Sequence, residues 1–261
     1  MPELIEVEAY RRLADQALGR PVAAVDAPDA WFLKRGTTAR DLRDVLTGRS
    51  IAATRRIGKL LLLDTSDRGP TVGLRFGMTG RLLLDDHGPI DRLEYSSTRD
   101  LPAWNRFGLR FADGGRLRLS DPRRLGGVEL EPDTSGLGPD ALAITEAQLR
   151  AVLGGSAAPV KARLLDQARI AGLGNLLVDE ILWRAGIDPA TAAGSLPAAS
   201  VRGLHRQILR TVRQLDARGG SHTGDLQAER RPGGHCPRDG AELRRRTVGG
   251  RTTWSCPVHQ R

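Results

Sequence analysis

Cysteine is nearly absent from the 261-residue chain, which holds only Cys236 and Cys256. That excludes the disulfide framework of a small secreted domain and leaves one disulfide, a metal site or two free thiols, with metal or nothing favoured in a reducing compartment. Lysine is as scarce: Lys34, Lys59 and Lys161 are the only three, although Lys and Arg together number 40 against 31 Asp and Glu. Arginine therefore carries almost all of a formal charge of +9, a surplus that points to a polyanionic partner without identifying it. No apolar run approaches the roughly eighteen residues of a membrane-spanning helix. The opening MPELIEVEAY has acids where a secretory signal needs a basic and then an apolar stretch, so a cytoplasmic chain is expected. With 39% hydrophobic and 27% charged residues the composition is that of a folded globular protein, long enough for one large domain or two to three small ones.

Leu4, Val7, Leu13, Ala14, Ala17 and Leu18 fall close to one helical face, which predicts an amphipathic helix starting near residue 3. From there to about Leu130 the chain reads as short apolar runs, IGKLLLLD, TVGLRF, RLLLDD, FGLRFAD and GRLRLSD, broken by Gly, Asp and Pro, the pattern of an antiparallel sandwich or barrel. Helical periodicity takes over at Thr145–Leu153, Val160–Gln167, Asn175–Ala185 and Ala198–Leu215. Gly172 and Gly174 allow a sharp turn between the second and third of these. Residues 218–234 have no periodicity and read as a loop. The final segment, with both cysteines, has too few apolar residues for its own core and needs docking or a metal.

Several residues carry possible chemistry. Removal of Met1 would leave Pro2 with a free secondary amine of pKa near 8, partly neutral and nucleophilic at physiological pH. Attack on a sugar C1′ would form an iminium ion, an electron sink that acidifies the C2′ hydrogen and permits elimination of phosphate. Glu3 would donate or relay the proton that the opening ring needs. The plainer alternative is that Pro2 starts a helix and Glu3 complements its dipole. Lys59, inside an apolar run, is either functional or a strand-edge lysine that snorkels to water. Met78 is either exposed for contact or a filler of a core gap. Asn175, after two glycines, is a natural N-cap at a helix start that also suits a phosphate.

The motifs MPELIEVE, RRIGKLLLL, LRFGMTGRL, SDPRRLGG, DQARIAGLGNLLVDEILWRAGIDP and GGRTTWSCPVHQ occur in that order. Together they resemble the formamidopyrimidine-DNA glycosylase and endonuclease VIII family along essentially the whole chain. The resemblance implies an α+β multidomain fold: an N-terminal helix with an antiparallel β-sandwich over 1–132, a helix–two-turn–helix domain over 133–226, and a zinc-ribbon-like β-hairpin over 227–261, with DNA in the cleft between the first two. It implies a monomeric DNA repair enzyme, nucleoid-associated if bacterial, that acts on double-stranded DNA containing damaged bases or abasic sites. Pro2 and Glu3 would be catalytic, and Lys59 would support them by engaging the phosphate beside the lesion. Met78, Arg123 and Leu125 match the side chains that fill the void left by the flipped base. Arg75, Lys161, Asn175 and Arg251 would complete the DNA contact. An abasic-site lyase or a catalytically weak binder of damaged DNA is the alternative within the same resemblance.

The departures are informative. Where the family's ribbon has two CxxC pairs, this chain reads Cys236-Pro-Arg-Asp239 and Cys256-Pro-Val-His259. The implied ligand set is Cys236, Asp239, Cys256 and His259 around a structural zinc, with His235 or His222 as substitutes for Asp239. A metal-free ribbon packed around Trp254 and Val248 is the other possibility. Leu125 replaces the aromatic wedge of the oxidised-purine branch and should unstack the opposite strand less well. Arg75 stands where the family usually has His, and Ile5 where it has Pro. Gly219–Leu226 resembles the start of a lesion-capping loop, but few residues follow it, which weighs against a preference for 8-oxoguanine.

Overall fold

The structure, a computed structural model, describes residues 2–90, 93–94, 97 and 99–261. The Glu3 N–H donates to Glu6 Oε2 at 2.8 Å, the return bond of a capping box, and α1 (Leu4–Asp15) follows. Leu4, Val7, Leu13, Ala14 and Ala17 are buried as the periodicity requires. Leu18 is not: the helix stops at Asp15, and Leu18 is exposed just before Gly19, whose φ of +75° turns the chain toward the first strand.

The first unit, which spans Met1–Ser135, continues among the described residues with β1 (Val22–Asp26), α2 (Ala39–Leu46), β2 (Ile51–Ile57), β3 (Leu60–Thr65), β4 (Val72–Arg75), β5 (Arg81–Leu84), β6 (Asn105–Phe111), β7 (Arg116–Ser120) and β8 (Gly127–Leu130). The strands form two antiparallel four-stranded sheets, ordered β1-β6-β7-β5 and β2-β3-β4-β8. Leu61, Leu63 and Leu74 of one sheet share a core with Leu82, Phe107 and Leu119 of the other and with Val7, Tyr10 and Leu13 of α1. This is the expected helix plus sandwich. Leu60 to Leu63 are all buried, the mark of a strand covered on both faces rather than one. The sequence reading has no helix between α1 and residue 145, yet α2 forms. Thr38 caps it, with its hydroxyl accepting from the Asp41 N–H and its own N–H donating to Asp41, and it buries only Leu42 and Leu46, too few for periodicity to reveal.

The second unit, Gly136–Arg261, holds α3 (Glu146–Leu153), α4 (Val160–Leu165), α5 (Asn175–Ala185), α6 (Ala198–Ala217) and the hairpin of β9 (Arg244–Val248) and β10 (Arg251–Ser255). α4 ends two residues before the predicted Gln167 because the Gln167 amide braces the following turn: it donates to Leu165 O and Leu173 O and accepts from the Gly172 N–H, each at 2.9 Å. The hairpin docks rather than standing alone. Trp183 of α5 packs with Leu226, Cys236, Leu243, Trp254 and Cys256 in one cluster. Among the described residues no helix is long and apolar enough to cross a membrane.

Candidate active site, DNA interface and metal centre

In the first unit four chain segments bearing predicted residues are braced to one another. Pro2 and Glu3 are buried at the start of α1, with Glu3 0% exposed. Lys59 is half-buried in the β2–β3 turn, beside Gly58 with φ of +57°. That turn is fastened to α1 by Arg56, which donates to Gly58 O at 2.8 Å and to Glu8 Oε2 at 3.0 Å. Tyr10 of α1 stacks on Phe76, with centroids 4.6 Å apart, and its hydroxyl donates to Gly80 O at 3.2 Å, which holds the 76–80 loop that carries the half-buried Met78. Complete burial pushes the Tyr10 phenol well above its usual range, so it stays a neutral donor.

Asp121 ties that loop to the next. It is fully buried; its Oδ1 accepts from the Thr79 hydroxyl and, at 3.2 Å, from the Arg123 N–H, and its Oδ2 accepts from the Gly126 N–H at 2.9 Å. The two loops lie so close that a Cβ on Gly77 would fall 2.4 Å from the backbone carbon of Leu125. On this frame Arg123 and Leu125 are exposed, Leu125 by 51%. Arg124 between them has φ of +56° and turns back to Asp29 in a two-pronged pair at 2.6 and 2.7 Å, which holds the Asp29 carboxyl below the usual carboxylate range. Arg75, at the end of β4, donates to the buried Glu129 at 2.8 Å, a carboxylate it shares with Arg35. Sequence reading missed Asp121 and Asp29. The one signal for Asp121 was its place in the SDPRRLGG motif.

In the second unit the predicted residues meet at the start of β10, but not all as expected. Asn175 is the first residue of α5 and not its cap, which is Gly174; its side-chain amide instead donates to Thr252 O at 3.0 Å. Arg251, next to Thr252, is exposed. Lys161 lies deeper than its expected role suggests. It is 0% exposed, and its Nζ donates to Asp179 Oδ1 at 2.6 Å, to Thr253 Oγ1 at 2.8 Å and to Thr252 O at 3.1 Å. Two of these acceptors, Asp179 and Thr253, are fully buried, and the ammonium ties α4, α5 and the hairpin together.

The four proposed metal ligands do converge. One donor atom each from Cys236, Asp239, Cys256 and His259 lie within 4.8 Å of one another. A tetrahedral zinc site with bonds of about 2.0–2.3 Å has ligand–ligand edges of roughly 3.3–3.8 Å. The edges here include 3.5 Å from Cys236 Sγ to His259 Nδ1, 3.2 Å from Cys256 Sγ to Asp239 Oδ2 and 3.0 Å from His259 Nδ1 to Asp239 Oδ2. His259 Nε2 lies 3.0 Å from Trp183 O, so it carries the hydrogen and leaves Nδ1 to face the cluster. N–H donors reach both sulfurs: Trp183 Nε1 and the Arg238 N–H on Cys236, and the Val258 N–H on Cys256. The Ala241 N–H, with Cys256 and His259, holds Asp239 well below the usual carboxylate range. The donor set therefore fits a metal ion, and neither His235 nor His222 joins it. Trp183, which sequence reading also missed as a participant, links the cluster to α5.

Known proteins show the same arrangement of parts. Residues 1–128 match the formamidopyrimidine-DNA glycosylase N-terminal domain, and residues 136–225 match the formamidopyrimidine-DNA glycosylase H2TH domain. The chain is 36% identical over 287 residues to the formamidopyrimidine-DNA glycosylase of Paracoccus denitrificans, with both chains covered completely. It is 31% identical over 280 residues to that of Arabidopsis thaliana, covering 71% of the plant protein. Among solved structures it is similar to Lactococcus lactis Fpg in complex with DNA containing an abasic site, at a TM-score of 0.84 and 29% identity, each chain covered completely. The same protein bound to Fapy-dG DNA gives a TM-score of 0.83. The chain belongs to the formamidopyrimidine-DNA glycosylase family.

Proposed function

We propose that this chain excises a damaged base from duplex DNA with Pro2 as nucleophile and then cleaves the abasic strand by β- and δ-elimination. Glycosylase and abasic-site lyase activity on damaged DNA is the chemistry of the family, and its partner is damaged duplex DNA. The Pro2 nitrogen bonds to C1′ as the bond to the base breaks, while Glu3 supplies a proton to the ring oxygen as the sugar opens. The C2′ hydrogen leaves as a proton to water while its electron pair enters the iminium to give an enamine, which expels the 3′ phosphate with the C3′–O pair; loss of the C4′ hydrogen as a proton to water then drives a second elimination that releases the 5′ phosphate with the C5′–O pair. Lys59 engages the phosphate beside the lesion, Met78, Arg123 and Leu125 fill the vacated stack, and Arg75, Asn175 and Arg251 hold the backbone. The observation that carries this reading is the buried Pro2–Glu3 pair at the fixed start of α1, cross-braced through Arg56, Tyr10 and Asp121 to the segments that bear Lys59, Met78, Arg123 and Leu125.

Borohydride reduction of the protein on abasic DNA is expected to trap a covalent adduct. Pro2→Gly and a form that retains Met1 should lose it. An adduct that persists undiminished in both would overturn the assignment of Pro2.

The segment expected to close over a lesion is short and tied down. Glu180 accepts the Asp225 and Leu226 N–H groups at 3.1 and 2.9 Å, Leu226 is fully buried, and only residues 227–235 intervene before Cys236. Such a segment supports a substrate other than an enclosed 8-oxoguanine.

A structural zinc held by Cys236, Asp239, Cys256 and His259 is part of the same proposal. It would fix the hairpin against α5 and take no part in the reaction. Metal analysis of the purified protein should find about one zinc per chain, and less than about a tenth of an equivalent would rule the site out.

A further inference from the structure

Next to the 121–126 loop stands a side chain that the chemistry above does not use. Trp31, in the short 3-10 turn Ala30–Phe32, is 69% exposed, more than any other large apolar side chain among the described residues. Its backbone is nevertheless fixed. Phe32 is fully buried, the Trp31 N–H donates to Asp29 Oδ1 at 3.2 Å, and the Lys34 N–H donates to Val128 O of β8 at 2.8 Å. A large indole held outside on a rigid turn is the arrangement of a contact residue, because burial elsewhere would have cost the fold nothing in mobility.

Its surroundings name the chemistry of the contact. Lys34 Nζ sits 5.1 Å from the indole centroid. Trp31, Asn105, Arg106 and Arg124 line a depression of about 530 Å³, room for a nucleotide. Arg106 and Arg124 line it and share the single carboxylate of Asp29, and Lys34 stands beside the indole. An aromatic face ringed by cations suits a nucleobase stacked beside its own phosphates, since the ring takes any base and the cations take the backbone. The depression reaches the 121–126 loop at Arg124, which lines it. Arg124 lies between Arg123 and Leu125, is exposed like both, and pairs with Asp29 in the lining of the depression.

We propose that Trp31 is a stacking platform for a nucleotide of the strand opposite the lesion, displaced when Leu125 enters the helix. Leucine has no ring to stack on the estranged side, and Trp31 supplies that ring from the adjacent turn. The assignment rests on the function proposed above and adds to it a residue that determines how tightly the opposite strand is held.

The test uses the full chain and a duplex with a reduced abasic-site analogue, carrying 2-aminopurine in the opposite strand facing the lesion. Trp31→Ala should raise Kd about tenfold, the weight of one base stacked on an aromatic ring, and Trp31→Phe should restore most of the affinity. Binding by the unaltered protein should quench 2-aminopurine emission, and Trp31→Ala should lose that quench, a change that a merely structural role would not produce. A Kd within about twofold of the unaltered protein, with the quench retained in Trp31→Ala, overturns the proposal. So does an unchanged Kd accompanied by a change in self-association, which would make the indole a protein contact. Failure of the unaltered protein to bind the abasic duplex would instead overturn the function on which this rests.

Discussion

Replacing Glu3 by Gln is expected to slow base excision by about 10²- to 10⁴-fold while sparing most strand cleavage on abasic DNA prepared beforehand, the weight of one positioned proton donor. The substitution keeps the size of a fully buried side chain and removes only its acid. The start of α1 should survive it, because the Glu3 backbone N–H still donates to Glu6 and the Gln amide oxygen can accept the Glu6 N–H in place of the carboxylate. Excision needs a proton delivered as the sugar ring opens, whereas a preformed abasic sugar already samples the open aldehyde, which Pro2 can attack unaided. Single-turnover rates on a damaged-base duplex and on an abasic duplex, measured side by side, separate the two steps. Retained excision would refute the role given to Glu3.

Lys161→Met should destabilise the protein by about 3 kcal/mol, the lower end of the cost of breaking a buried ion pair, and should leave the salt dependence of DNA binding unchanged. Asp179, itself fully buried, keeps a cationic partner after the change, because Arg230 reaches its other oxygen at 2.9 Å, and that oxygen also accepts from the Trp254 N–H at 3.4 Å; this is why the lower end is expected. A phosphate clamp would behave in the opposite way. Its loss would reduce the slope of log K against log salt by about 0.9 and leave the urea midpoint where it was. Urea unfolding and a salt titration on the same variant therefore decide between tether and clamp.

That lysine also shows where sequence reading runs out. The span of α5 was legible to the residue, because its apolar period is bounded by Gly174 and by Gly186, which ends it at φ of +69°. The convergence of two C-x-x-Asp and C-x-x-His half-sites was legible as well, since each half-site sits on a local turn. Lys161 was not. Nothing in a six-residue helix announces that Asp179 and Thr253, distant in sequence, will close around its ammonium. Asp121 and the Asp29–Arg124 pair escaped for the same reason: a carboxylate that organises two loops has no periodicity, only partners. Trp31 escaped differently, because exposure is a property of the folded surface and an isolated aromatic in a sequence reads equally well as core.

Scarcity of lysine makes the central claim unusually open to a direct measurement. Besides the chain terminus, Lys34, Lys59 and Lys161 supply all the amines that borohydride could fix to an abasic sugar, and Lys161 is buried. Digestion of the trapped adduct and mass mapping of the modified peptide should find the sugar on the N-terminal peptide, on the nitrogen of Pro2, with Met1 gone. Modification mapped to Lys59 or to any other lysine, with Pro2 unmodified or Met1 still in place, would contradict the account.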